Sequence, residues 1–242
     1  VDIKSLYKLP IEKLHEYNRK DVELCILIDK KLHIFDFHDS MRKFIGCPYD
    51  SVEYASNMID FLLLKKAREL NIVLPTKSDD MSKKMKFEGA FVDAIPGKYH
   101  NVINFDISAM YPSIIKTFNL SMECIDPNGE IKVGKINITK NKKGMIPMII
   151  DDLLVMRKEY DNKRDEHPYG HPDHERYDIL VESVKCVIDA VYGVNAYPRF
   201  RLFRGEIAEG ITYLGREIIK RTREKLQEMG YKVVITDTDS TD

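Results

Sequence analysis

The chain has 242 residues, 43% of them hydrophobic, enough to bury a sizeable core in one large or two smaller domains. Its apolar runs, such as residues 61–64 and 145–150, are far too short to span a bilayer, and the opening residues lack the pattern of a secretion signal, so no membrane-embedded segment is expected. Four scattered cysteines (Cys25, Cys47, Cys124, Cys186) form no CxxC pair and suggest a reducing, intracellular setting, while a net charge of −1 provides no general attraction to nucleic acid.

Pro10 and the spacing of Leu14, Tyr17, Leu24, Cys25, Ile28 and Leu32 predict a helix over residues 11–32 with proline in its first turn. Asp50 and Glu53 read as a capping pair for a second helix that runs to Leu70 and stops at Asn71. Residues 87–92 and 99–105 are β-rich stretches around the Pro96-Gly97 turn, and the second delivers the chain to Asp106. Tyr111-Pro112-Ser113 opens a short helix, and Pro127-Asn128-Gly129 marks a turn.

Two long helical patterns follow, over residues 147–164 and 173–192, separated by His167-Pro168-Tyr169-Gly170-His171-Pro172. They are expected to fold as an antiparallel helical hairpin. His167, His171 and His174 have an HxxxHxxH spacing, but with no cysteine or carboxylate joining them on a defined helix they read as loop histidines rather than a zinc site. Residues 205–229 form a third long helix ended by Gly230, and residues 231–235 a strand running into Asp237-Thr238-Asp239-Ser240. From Asn195 to Lys225 eight basic residues face four acidic ones, a run that is more often a solvated helix face than a phosphate contact.

The chemically informative feature is the delivery of carboxylates by two separate strand ends, Asp106 at one and Asp237 with Asp239 at the other. Divalent cations need several oxygen ligands converging on one point, and strand ends on a rigid sheet provide such a geometry.

Here the sequence resembles a known family. Residues 105–115 (FDISAMYPSII) are similar to the first polymerase motif of family B DNA polymerases, residues 185–193 (KCVIDAVYG) to the second and residues 236–240 (TDTDS) to the third, in the family's order. Phe87-Glu88-Gly89-Ala90 resembles the element linking exonuclease and polymerase domains, and Tyr17 with Asp21 resembles the last motif of a 3′-to-5′ proofreading exonuclease.

The resemblance implies an α+β fold: an antiparallel palm sheet, a helical-hairpin fingers subdomain and leading helices from an exonuclease domain. Residues 1–35 would be the last exonuclease helix, 36–100 connecting helices and the start of the palm, 101–145 and 195–242 the two parts of the palm, and 146–194 the fingers. The chain then reads as a fragment whose thumb lies beyond it. The implied reaction is template-directed addition of deoxynucleotides to a primer 3′-hydroxyl, with primer-template DNA, deoxynucleoside triphosphates and a processivity factor as partners. Two Mg²⁺ ions, or Mn²⁺ in their place, would serve as cofactors.

Carried over by residue, the resemblance implies that Asp106 and Asp239 hold both metals, with Asp237 as a third carboxylate and the Ile107 carbonyl as a further ligand. The amides of Ala109 and Met110 would meet the triphosphate, Tyr111 would pack under the incoming sugar, Lys185 and Arg157 would grip the phosphates, and Tyr192 would lie near the templating pair. Asp189-Ala190 stands where the family usually has Asn-Ser, Asp161 where a basic residue is common, and Thr236 where a smaller residue is frequent. In a regular helix Asp189 lies on the same face as Lys185, within reach of its ammonium. The rivals are a catalytically dead scaffold and another palm enzyme such as a reverse transcriptase.

Overall fold

The protein is described here by a computed structural model covering residues 3–83 and 85–242. Seven α-helices among the described residues pack around and beside two small antiparallel sheets, giving an α+β architecture. The helices are α1 (Ile11–Leu32), α2 (Ile34–Ile45), α3 (Ala55–Glu69), α4 (Met110–Thr117), α5 (Met145–Asp165), α6 (Pro172–Asn195) and α7 (Gly205–Glu228). The strands are β1 (Val92–Ala94), β2 (Phe105–Asp106), β3 (Ile131–Val133), β4 (Ile136–Ile138), β5 (Ile235–Asp237) and β6 (Ser240–Thr241). Among the described residues no helix is long and apolar enough to cross a membrane.

The long helices follow the sequence closely because their apolar periodicity is strong and their ends are marked. Helix α7 closes in a Schellman motif: Gly230 adopts φ +89°, its N–H donates to the Gln227 carbonyl, and the Tyr231 N–H donates to the Leu226 carbonyl. At the start of α5 the unsatisfied amides of the first turn are capped from the preceding loop. The Asn119 side-chain oxygen accepts from Gly144 N, Glu123 from Met145 N and the Ser121 hydroxyl from Ile146 N.

Helices α5 and α6 form the expected antiparallel hairpin, and its inner faces merge with α2, α3, α4 and α7 in one core. Ile59 and Leu63 of α3, Ile146, Ile150 and Leu153 of α5, and Val184, Val187, Ile188 and Val191 of α6 are almost wholly buried. Each such side chain contributes about 1.5–3 kcal/mol through removal of apolar surface from water. A buried ion group pins α3 to the segment between α6 and α7. The Arg201 guanidinium donates to both Asp60 oxygens (2.7 and 3.1 Å) and to the Pro75 carbonyl (2.7 Å), while Lys77 pairs with Asp60 at 3.0 Å.

The larger sheet has the order β1-β5-β6-β2, so the late β5–β6 hairpin lies at its centre and the earlier strands β1 and β2 form its edges. Several local expectations shift here. Helix α3 starts at Ala55 with Tyr54 as its cap, and Asp50 sits in a separate 3₁₀ turn, so no Asp50–Glu53 capping box forms. Residues 87–91 are not a strand, because the carbonyls of Glu88 and Gly89 are taken by side chains of α7: Arg216 donates to both at 2.7 Å and Thr212 to Glu88 at 3.0 Å. Pairing begins only at Val92, opposite Asp237. The stretch 99–105 shrinks to Phe105–Asp106, since Asn101 at φ +58° breaks the extended run. Helix α2 and the β3–β4 hairpin are present without having been expected.

Candidate active site

The two carboxylate-bearing segments meet in the sheet. Asp106 of β2 lies opposite Ser240 of β6, and the Ile107 N–H donates to the Asp239 carbonyl at 2.8 Å, which sets Asp239 beside Asp106. Strands β5 and β6 are joined by a two-residue turn, Thr238-Asp239, between the paired residues Asp237 and Ser240. Thr238 is held at φ +55°, an uncommon conformation for a β-branched residue. Two bonds secure it: its N–H donates to the Phe91 carbonyl (2.9 Å) and its hydroxyl to an Asp237 oxygen (2.9 Å).

A cleft of about 460 Å³ opens above this point, lined by Asp106, Ser108, Ala109, Met110, Tyr111, Pro112, Arg157, Lys185, Ile188, Asp189, Tyr192 and Asp239. Nine residues singled out from the sequence therefore share one cavity although they come from the sheet, α4, α5 and α6. Burial raises the Asp239 pKa above the usual carboxylate range, and the negative charges of Asp106, Asp237 and Asp189 add to the effect. Among the described residues none of Asp106, Asp237 and Asp239 forms an ion pair with a lysine or arginine. Crowded carboxylates without a cationic partner suit a divalent metal.

The ligand set is looser than the resemblance implies. Asp106, Asp237 and Asp239 do not all come within 4.8 Å of one another, and Asp237 is outside the cleft lining. A magnesium site of one or two carboxylates completed by substrate phosphates and water is still compatible with the Asp106–Asp239 pair.

On the floor, Ala109 adopts a left-handed conformation (φ +51°) and caps α4. The first amides of that helix have no carbonyl partner within it, and Pro112, in the first turn, has no N–H to leave unsatisfied. Tyr111 stacks on Tyr192 with ring centroids 4.3 Å apart, and burial raises the pKa of both phenols. Gly215 of α7 is the counterpart below: a Cβ there would lie 3.0 Å from the Tyr111 ring and 3.1 Å from the Met110 methyl. Sequence reasoning missed Gly215, although an isolated glycine inside a helical run is a sign of close packing. Gly193, by contrast, faces open space.

The cleft also contains two cations, Arg157 and Lys185. Arg157 has its Nε buried without a hydrogen-bond partner, the one such side-chain atom among the described residues. Lys185 pairs with Glu182 at 3.5 Å, so its ammonium does not form the expected close contact with Asp189. Asp189 nevertheless senses both cations: burial raises its pKa, and the nearby charges of Lys185 and then Arg157 lower it.

The remaining departures have local explanations. Asp161 pairs with Arg164 at 3.0 Å, and buried Thr236 meets the Thr241 hydroxyl across the β5–β6 ladder. The basic run on α7 is largely occupied inside the fold, with Arg216 on Glu88, Arg223 on Asp93 and Lys220 over the Phe91 ring. Tyr17 and Asp21 lie on α1, which buries no residue, and Asp21 belongs to no three-residue cluster of metal-ligating side chains.

Comparison with known proteins agrees with this architecture. The family model for DNA polymerase family B matches residues 52–241, and the chain belongs to that family. DNA polymerase 1 of Pyrococcus abyssi is 27% identical over 242 residues, which cover 95% of this chain and 31% of that protein. DNA polymerase 1 of Sulfolobus acidocaldarius is 29% identical over 262 residues, covering 96% of this chain and 30% of that protein. Among solved structures, the family B DNA polymerase from the hyperthermophilic archaeon Pyrobaculum calidifontis superposes with a TM-score of 0.79 at 25% identity, over 99% of this chain and 33% of that one. The chain thus spans about a third of the length of these relatives.

Proposed function

We propose that this chain forms the palm and fingers of a template-directed DNA polymerase that transfers a deoxynucleotidyl group to a primer 3′-hydroxyl with release of pyrophosphate. The observation that carries the reading is the presence of Asp106, Asp239, Arg157 and Lys185 in the lining of a single cleft. Asp106 and Asp239 would hold two Mg²⁺ ions, or Mn²⁺, with Asp237 and the Ile107 carbonyl beside them. Bound there, the ions would supply activation of the attacking hydroxyl and neutralisation of phosphate charge.

The protein's own groups account for the rest. Lys185 and the unpartnered guanidinium of Arg157 would take the triphosphate oxygens as charge-assisted hydrogen-bond acceptors. The first amides of α4 would add neutral donors to the same anion. The stacked rings of Tyr111 and Tyr192 would form an apolar surface for the sugar and the nascent base pair. Primer-template DNA, a processivity factor, an intracellular location and proofreading by an exonuclease carrying Tyr17 and Asp21 belong to the same proposal for the whole protein.

Primer extension by the full-length protein and its Asp106→Ala and Asp239→Ala variants tests the assignment. Extension should be lost while primer-template binding persists, because phosphate contacts elsewhere supply most of that affinity. Activity of either variant within about tenfold of the wild type, a barrier change of about 1.4 kcal/mol, would remove these residues from the chemistry.

A further inference from the structure

At the far end of the helical hairpin, away from the cleft, the ligand atoms of His167, His171 and Asp173 lie within 4.8 Å of one another. The histidine spacing alone offers no carboxylate, and the fold provides one: Asp173, in the first turn of α6, lies beside His171. We propose that the tip of the α5–α6 hairpin is a binding site for a zinc-class divalent transition metal, with His167, His171 and Asp173 as ligands.

The donor set suits such an ion. Two imidazoles and a carboxylate are ligands of borderline character, favoured by zinc over magnesium or calcium, and three protein ligands leave a fourth position for water. In a tetrahedral site with bonds of about 2.0–2.1 Å, ligand atoms stand about 3.3 Å apart. His171 Nδ1 and an Asp173 carboxylate oxygen are already 3.7 Å apart. In the metal-free chain His171 Nδ1 accepts from the Asp173 N–H at 3.2 Å, a helix cap that an ion bound at Nδ1 would displace and an ion bound at Nε2 would leave in place. The ligand atoms lie within 4.8 Å of one another, and closing on one ion requires one imidazole of the His167–His171 stack to turn out of its parallel arrangement.

The loop that carries the ligands is preorganised. The His171 N–H donates to the Pro168 carbonyl and the His167 N–H to the Arg164 carbonyl, at 3.0 and 3.1 Å. The His174 ring contacts the Arg164 and His167 carbonyls through Nδ1, at 3.2 and 3.0 Å, which ties α6 to the end of α5. Without metal the His167 ring stacks parallel to those of His171 and Tyr177, at 4.9 and 6.5 Å between centroids. A metal at this point would join the loop just beyond α5 to the first turn of α6 and so brace the connected tip of the hairpin.

Zinc titration of the chelator-stripped chain, with excess Mg²⁺ added to compete for the carboxylates of the cleft, tests the proposal by calorimetry and by thermal melting. The expected result is one saturable zinc site per chain with a rise in melting temperature. His167→Ala and Asp173→Asn should each weaken zinc binding by at least about tenfold. His171→Asn is the second arm, since asparagine preserves the helix cap while removing the imidazole, and it too should weaken zinc binding without unfolding α6. Absence of a saturable zinc site, or equal zinc binding by a folded His167→Ala, His171→Asn double variant, would overturn the assignment.

Discussion

Asp189 is the residue at which this chain departs from its family with a cost that physics can size. It places a carboxylate on the wall that otherwise offers Arg157 and Lys185, in the cleft proposed to take a triphosphate. Asp189→Asn removes that charge and leaves the shape almost unchanged. Two unit charges about 8 Å apart interact by about 2 kcal/mol at an effective dielectric of 20. Asp189 is exposed, so solvent and salt screen the term to about 1 kcal/mol. Because Lys185 pairs with Glu182 and not with Asp189, the carboxylate acts through its field rather than by holding the ammonium. Removing it should therefore lower the nucleotide KM by roughly fivefold with a smaller change in kcat, the pattern of a charge felt similarly by bound substrate and transition state. Steady-state incorporation of one nucleotide by the full-length protein, at low and moderate salt, measures both constants. The gain should shrink as salt rises. A KM that is unchanged or higher at low salt would refute the reasoning.

Other substitutions probe the remaining parts of the site and its frame. Tyr111→Ala should increase ribonucleotide incorporation, because the ring expected under the sugar fills the volume a 2′-hydroxyl would need; unchanged selectivity would make Tyr111 a core residue only. Gly215→Ala should raise the nucleotide KM by about threefold to tenfold, since the added methyl meets the Tyr111 ring at 3.0 Å and Tyr192 blocks its retreat on the other side. An unaltered KM would show that the rings can shift freely. Asp60→Ala should destabilise the chain by about 3 kcal/mol in urea denaturation, because Arg201 loses both oxygens of a buried partner. A loss below about 1 kcal/mol would class the group with surface ion pairs.

What could be read from the sequence was whatever depends on neighbours along the chain. Helices α1, α5, α6 and α7 declare themselves by apolar spacing over 21 to 24 residues and by terminal proline and glycine. Helix α2 and the β3–β4 hairpin were not expected although they carry the same kind of signal, in Ile34, Phe37, Met41 and Ile45 closing on Gly46 and in Gly134 at φ +55° between alternating apolar residues. The strands of the larger sheet were not legible in this way. Each is two or three residues long, and its extent is set by distant partners: β2 pairs with β6, and in residues 87–91 the Glu88 and Gly89 carbonyls accept from Thr212 and Arg216 instead of from a neighbouring strand. The motifs identified the aspartates, but the approach of Asp106 to Asp239 depends on the register that sets Asp106 opposite Ser240.

The same distinction explains why α7, which supplies no lining residue to the cleft, controls its geometry. Its Thr212 and Arg216 hold the carbonyls of Glu88 and Gly89, which fixes the run into β1. From that run the Phe91 carbonyl accepts the Thr238 N–H and keeps the strained turn that carries Asp239. One residue before Arg216, Gly215 sets the depth at which Tyr111 stacks on Tyr192, and Tyr192 stands on the helix that bears Lys185 and Asp189. Successive residues of one helix thus position the carboxylate turn and the aromatic floor together. A change at either residue should disturb catalysis without touching a reacting atom.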